Sequence, residues 1–408
     1  MSASLSLLLA VFGALLLVAV LLDDIAARLR MPGILLVLLL GLLTNNDVDS
    51  LAGGPGQLLS LAQAGPISQL ALVLVLFFGG LTSNWIELRG VLRPALRLAT
   101  VGSLLTAAMV TVLVLLLSRL PLSSVHPTLP VALFIGAMFC STDASAVMVL
   151  LRPLAGQLPQ RLIDLIECES AFNDPVAVVL AGVALALATG QAEADPSTLL
   201  IDGVRQFLIG ALLGFLGGSL AGQMLINSPR LRHPAVLAVV SLAVLMLLVG
   251  GTQLLGGSGI LAAYVAGLVL GNTRGCDRPV LEETHAGFAK MAELGLFLCL
   301  GLVVDPAHVL RYGHWVLVLF LVLQLARWLM VEAVLVQGGF QRAEKLMISA
   351  SGLRGAVPIA LAIQAASSEV PWGREMPPLA LGLVVLGLVL QGFALVPLAR
   401  RLGLTSAG

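Results

Sequence analysis

The chain has 408 residues, 59% of them hydrophobic and 11% charged, with 22 Lys+Arg against 22 Asp+Glu. A soluble protein carries roughly a quarter charged residues, so this composition excludes an ordinary water-soluble enzyme and points to a chain that faces lipid along much of its length. With zero net charge and no basic run, nucleic acid is excluded as a partner.

In chain order, apolar stretches broken at charged, Pro and Gly clusters predict thirteen spans, at about 4–22, 32–44, 66–83, 91–118, 129–151, 162–188, 198–226, 234–251, 258–271, 284–304, 312–336, 344–366 and 377–399. The second and ninth are short, and the tenth reads equally as a long interfacial helix. The N-terminal stretch has no basic region before its apolar run and no small-residue cleavage site, so it reads as a retained first span. The longest polar segment, "TNNDVDSLAGGPGQ" after the second span, leaves no room for a soluble domain. The scattered cysteines, Cys140, Cys168, Cys276 and Cys299, lack zinc-site or disulfide-framework spacing and read as small apolar fillers. No cofactor is expected.

Lys and Arg test the span count, because cytoplasmic loops hold the excess. Alternate loops collect 15 of the 22 on one side and 4 on the other, with Lys290, Arg327 and Arg354 inside spans. The expected orientation is N-terminus outside and C-terminus cytoplasmic, in a multi-pass protein of the cell inner membrane.

Ionisable groups deep in a span are costly, about 2.5–3.5 kcal/mol each on insertion scales, and are functional candidates by default. In the fifth span, "FCSTDASAV" places Thr142 and Asp143 about 20 Å from one end. Cys-Ser-Thr-Asp favours caps over helix interiors, which predicts one half-helix ending and another beginning there. In the sixth, "ECESAFNDPV" places Asp174 about 16 Å deep, with Ser170 and Asn173 on its face and Glu169 on the flank. Pro175 cannot donate to the Ala171 carbonyl, which leaves another oxygen near that level. In the twelfth, "SASGLRGAVPIALA" sets two glycines around Arg354 and a proline beyond, a composition that breaks a helix at its middle. With Glu169 at a similar depth, a buried Glu169–Arg354 ion pair is the expected tie, since neither charge is then stranded. A substrate-binding role for Arg354 is the alternative. Lys290 and Glu293, three apart, are expected to pair with each other. Asp23, Asp24, Arg327 and Glu332 read as span-end or helix-tie residues, and Asp164 and Glu167 as solvated groups near the inner surface.

Two interrupted spans, one in each half of the chain and with carboxylates between them, are the pointer to a secondary transporter with inverted repeats. The expected fold is an all-α integral membrane protein of about 13 transmembrane helices, in two inverted-topology repeats with crossed, unwound helices in the core domain. Residues 1–188 form the first repeat with core spans around 91–188, 189–233 the linking span, and 234–408 the second repeat with core spans around 312–399, without a soluble regulatory domain.

At these residues the sequence resembles the NhaP-type bacterial sodium(potassium)/proton antiporters of the cation:proton antiporter superfamily. "STDASAV" resembles the family's Thr-Asp motif, "ESAFNDPVAV" its Glu-Ser-x-x-Asn-Asp motif and "GLRGAVPIALA" its Gly-Leu-Arg-Gly motif, in that order over nearly the whole chain. The Asn-Asp-Pro form is similar to a subgroup associated with potassium/proton exchange. Where many relatives have an acidic residue before the Gly-Gly of the third span, this chain has Phe78. The resemblance implies a homodimer whose core domain carries the ion against a dimerisation scaffold. It implies Asp174 as the shared site for a monovalent cation (sodium or potassium) or a proton, with Asn173, Ser170, Thr142 and Asp143 as site partners. Glu169 and Arg354 would be the stabilising ion pair, and membrane lipid the surrounding solvent.

Three other functions are compatible with a multi-pass chain of this composition. A cation channel would conduct without a proton gradient. A transporter of small organic anions would need Arg354 free to meet substrate. An intramembrane serine protease would use "GGSG" at Gly256 to Gly259, but no His in a neighbouring span activates Ser258, and a glycine-rich turn explains the motif more simply. An enzyme is not expected, and one-for-one electroneutral exchange is, because Asn-Asp leaves one titrating group where Asp-Asp would leave two.

Overall fold

The structure, a computed structural model, describes residues 3–29, 31–44, 58–119, 127–190, 196–336, 339–368, 370 and 372–405. Nearly all of the polar segment after the second span lies outside them. The described residues form helices and connecting turns. Among the described residues, nine helices are long and apolar enough to cross a membrane, and five more are apolar but 10–17 residues long.

In chain order the main helices begin with α1 (Ala3–Arg28), α2 (Gly33–Thr44), α3 (Leu61–Thr82) and α4 (Leu92–Leu117). They continue with α5 (Leu129–Met138), α6 (Ala144–Leu151), α7 (Gln160–Ala188) and α8 (Pro196–Asn227). Then come α9 (Pro234–Leu254), α10 (Gly259–Gly271), α11 (Arg278–Val303) and α12 (Gly313–Val334). The last are α13 (Arg342–Ala350), α14 (Ala356–Ser367) and α15 (Met376–Arg401). The expected short second and ninth spans are α2 and α10, of 12 and 13 residues. The expected tenth span is α11, a full-length apolar helix of 26 residues that packs against α2, α3 and α14.

Polar and glycine residues decide where helices start and how closely they approach. Ser60 caps α3 in a reciprocal capping box with Gln63, and Asp277 caps α11. The α3 and α10 backbones touch: a Cβ on Gly80 would stand 2.2 Å from the Tyr264 carbonyl oxygen, and one on Gly267 2.1 Å from that of Phe77. Without a hydrophobic drive between helices in lipid, such small-residue contacts supply the packing. By contrast, α1, α8 and α9 leave most of their apolar side chains exposed, among them Leu17, Leu208, Phe215 and Leu247. All four cysteines are free, with Cys140, Cys168 and Cys299 buried.

Two spans are broken in the middle. Between α5 and α6 the chain is non-helical through Ser141, Thr142 and Asp143, and between α13 and α14 through Gly352 to Gly355. Both breaks fall where cap residues and glycines predicted them. Beside them, α4 contains a π-helical turn at Leu98–Gly102 that packs against α7 and α12.

Candidate functional site

The two breaks cross and bond to each other. Asp143 N–H donates to the Leu353 carbonyl at 2.9 Å, and Arg354 Nη1 donates to the Ser141 carbonyl. Each half-helix end thereby meets a group of the charge it favours. At the start of α6, Asp143 Oδ1 accepts from Ser145 N at 2.8 Å, Ser145 Oγ at 2.6 Å and Ala146 N at 3.2 Å. Past the end of α5 stands the Arg354 guanidinium. At the end of α13, Arg327 Nη2 donates to the Ile348 carbonyl at 3.3 Å and Gln391 Nε2 to that of Ala350 at 2.8 Å. The other Asp143 oxygen lies over Gly355, where a Cβ would sit 1.8 Å from Oδ2. Only glycine fits there.

A polar triangle joins the first break to α7. Asn173 Nδ2 donates to Thr142 Oγ1 at 2.8 Å, Thr142 N donates to Asn173 Oδ1 at 3.2 Å, and Thr142 Oγ1 and Ser170 Oγ lie 2.9 Å apart. Thr142, Ser170 and Asn173 are all buried. Asp174, next along α7, is half-buried. It opens into a cavity of about 760 Å³ that Ser141, Thr142, Asp143 and Ser170 also line. Asn84, Gln160 and Asp164 line the same cavity, so it extends along α7 from its exposed first residue to Asp174, about 21 Å on. Four of the five expected ion-site residues therefore line one cavity, and Asn173 stands behind them, orienting Thr142. Ser141 joins them, a residue that sequence reading passed over although it is part of the quoted motif. Among the described residues no group of three or more His, Cys, Asp or Glu is placed to hold a metal. Hydroxyl and carboxylate oxygens are the donors on offer, and they suit hard cations.

The expected Glu169–Arg354 pair is replaced by another. Arg327 of α12 takes both Glu169 oxygens, Nη1 on Oε1 and Nη2 on Oε2 at 2.8 Å, with side-chain exposures of 3% and 1%. Glu169 lies about 140° around α7 from Asp174, so it points toward α12 rather than toward the crossing, and Arg354 is taken by Ser141. Glu169 stays within electrostatic reach of Arg354. Arg327 had been read as a helix tie, and it ties α12 to α7. Arg354 is 4% exposed and does not line the cavity. Ser258 caps α10 by accepting from Leu261 N at 3.3 Å, as a turn residue does. Lys290 bonds Glu293 at 3.4 Å as expected and also reaches Asp23 at 2.9 Å.

Comparison with known proteins places this geometry. The chain is 34% identical over 394 residues to the K(+)/H(+) antiporter NhaP2 of Shewanella sp. (strain ANA-3), covering 94% of this chain and 65% of that protein. It is 30% identical over 396 residues to the K(+)/H(+) antiporter NhaP of Alkalimonas amylolytica, covering 97% of this chain and 66% of that one. The chain thus spans about two thirds of the length of these relatives. In structure it is similar to the sodium proton antiporter MjNhaP1 from Methanocaldococcus jannaschii at pH 8, with a TM-score of 0.82 and 22% identity, over 98% of this chain and 99% of that one. The family profile described as sodium/hydrogen exchanger, transmembrane, matches residues 13–401. The chain is a multi-pass membrane protein of the NhaP type and belongs to the sodium/hydrogen exchanger family.

Proposed function

We propose that this chain exchanges monovalent cations, sodium or potassium, for protons by alternating access, with Asp174 as the site both share. The observation that carries the reading is a carboxylate on the wall of a cavity of about 760 Å³, beside a helix crossing that supplies Ser and Thr oxygens at the same depth. Relatives named as K(+)/H(+) and Na(+)/H(+) antiporters support it. A proton and an alkali ion compete for the same negative charge, so one carboxylate holds either but not both. If only the loaded forms cross, cation flux one way is coupled to proton flux the other without ATP.

Placing the exposed start of α7 on the cytoplasmic side, as the arginine distribution does, makes this an inward-open state. Joining α5 with α6 and α13 with α14 as two broken spans, and adding α2 and α10 to the nine long helices, gives the thirteen passes of the inverted-repeat plan. In that plan α4 to α7 and α12 to α15 form the core, and the lipid-facing α1, α8 and α9 are candidates for the scaffold of a homodimer. Glu169, Arg327 and Arg354 serve as the fixed electrostatic frame of the crossing. The organic-anion reading loses its basis, because Arg354 is buried away from the cavity.

The test is purified protein in liposomes loaded with a pH-sensitive dye and given graded sodium, potassium or lithium. Proton movement driven by an imposed cation gradient, in the opposite direction to the cation, fits the antiporter. Cation flux that continues without any proton movement would mean a channel.

A further inference from the structure

Lys290 is the single basic side chain among the described residues lining the cavity, against five acidic ones, Asp143, Asp164, Glu167, Asp174 and Glu293. Its ammonium lies between two carboxylates, 2.9 Å from Asp23 Oδ2 on α1 and 3.4 Å from Glu293 Oε2 one turn further along α11. Asp23 is held in place from behind: its Oδ1 packs on the start of α2, where a Cβ on Gly33 would stand 1.8 Å from it. Lys290 is nonetheless 46% exposed, an unusual degree of access for a doubly paired side chain inside a membrane-spanning helix. Glu293 also lies within electrostatic reach of Asp143. An ammonium is itself a monovalent cation, here in a two-carboxylate seat of which Glu293 lines the cavity.

We propose that Lys290 is a tethered competitor for the transported cation, an ammonium that occupies the Asp23–Glu293 seat and sets the affinity of the cavity for monovalent ions. The inference rests on the antiport reading. A flux cycle needs a site that attracts the ion enough to load and weakly enough to release it. Five acidic side chains in one low-dielectric space would concentrate cations strongly, and the fixed Lys290 charge moderates that field without closing the cavity. It acts through the charge it places in the cavity it shares with Glu293 and Asp174, and is therefore a tuning residue.

The experiment measures dye-reported exchange in liposomes at low ionic strength, over graded potassium and sodium, together with the thermal melting of each variant. Lys290→Met is expected to lower the apparent KM for the cation by about three- to tenfold, the size of one unit charge acting across a partly hydrated cavity. Lys290→Arg keeps the charge and should keep the wild-type KM. Glu293→Gln removes a negative charge and should raise KM, and Lys290→Met with Glu293→Gln should return it close to wild type because the net charge is restored. An unchanged or raised KM in Lys290→Met overturns the proposal, as does a double variant further from wild type than either single one, which is how a purely structural tie behaves. Should Lys290→Met fail to fold, Glu293→Gln decides alone, and an unchanged KM there rejects the idea. Wild-type protein in the same liposomes separates the two claims: no cation-dependent proton flux at all defeats the antiport reading, whereas normal wild-type exchange with a flat variant series defeats only the role of Lys290.

Discussion

Arg327 and Glu169 face each other squarely, both guanidinium Nη atoms on both carboxylate oxygens, in a place where neither side chain is more than 3% exposed. The pair joins α12 to α7 behind the crossing, and Arg327 also bonds the Ile348 carbonyl near the end of α13. One ion pair thus pins three elements around the crossing. Bidentate geometry is what lets a buried pair offset its desolvation.

Removing one partner strands the other, at a cost of about 3–5 kcal/mol. Glu169→Ala and Arg327→Ala should therefore each lower thermal stability sharply, and the double variant should lose clearly less than their sum. The same cycle between Glu169 and Arg354 should give a smaller coupling, because those two do not hydrogen-bond. Additive losses for Glu169 and Arg327 in detergent melting curves would contradict the geometry.

How far the sequence carried this site can be seen at these residues. Asp143, Thr142 and Asp174 were legible because a cap residue or carboxylate in an apolar span violates local rules, and such violations mark functional positions. The crossing was legible for the same reason, since Gly352, Gly355 and Pro358 together weaken a helix at the middle of their span. The partner of Glu169 was not. Depth along a span follows from counting residues, but which neighbouring helix a flank residue meets depends on how the spans are arranged around each other, and a single sequence does not encode that directly. Arg327 carried a signal, a lone charge in the middle of "LVLQLARWLMV". The depth argument that singled out Arg354 applies equally to it. Lys290 and Glu293 were read correctly as a pair, while Asp23, more than 250 positions away, came to them only through the packing of α1 on α11.

Asp174→Asn keeps nearly the same volume and removes the charge for which cation and proton compete. Exchange should fall to the level of empty liposomes, while melting temperature and elution volume stay near wild type. Appreciable coupled flux in this variant would reject Asp174 as the shared site and direct attention to Asp143.

Gly355 is the tightest contact of the crossing. With a Cβ 1.8 Å from Asp143 Oδ2, Gly355→Ala must push the carboxylate off the start of α6 or separate the two broken spans. Overpacking of this kind costs typically 1–3 kcal/mol, and losing the cap adds about 1 kcal/mol. Both stability and exchange rate should drop. Gly295→Ala is the control, because a Cβ there meets nothing within 4 Å and alanine favours the helix by roughly 1 kcal/mol. Equal behaviour of the two variants would mean that the close approach at Gly355 is not needed.

The stoichiometry turns on Asp143. Three donors converge on its Oδ1, from Ser145 N, Ser145 Oγ and Ala146 N, and its Oδ2 lies against the start of α14. A carboxylate held in this way is part of the fixed electrostatics of the crossing. Asn173, at the position where a second carboxylate would make a titrating pair with Asp174, is neutral and spends both its amide atoms on Thr142. On the proposed antiport reading, one titrating group swaps one proton for one monovalent cation, and the two loaded forms carry equal charge. Exchange in liposomes clamped at different potentials, using an ionophore for an ion the protein does not carry, should proceed at the same rate and stop at the same end point whatever the voltage. A reversal point that moves with potential would mean that more than one proton accompanies each cation. In that case Ser145→Ala, which removes one of the three donors to Asp143, should alter the voltage dependence, and Asp143 would be a second proton carrier.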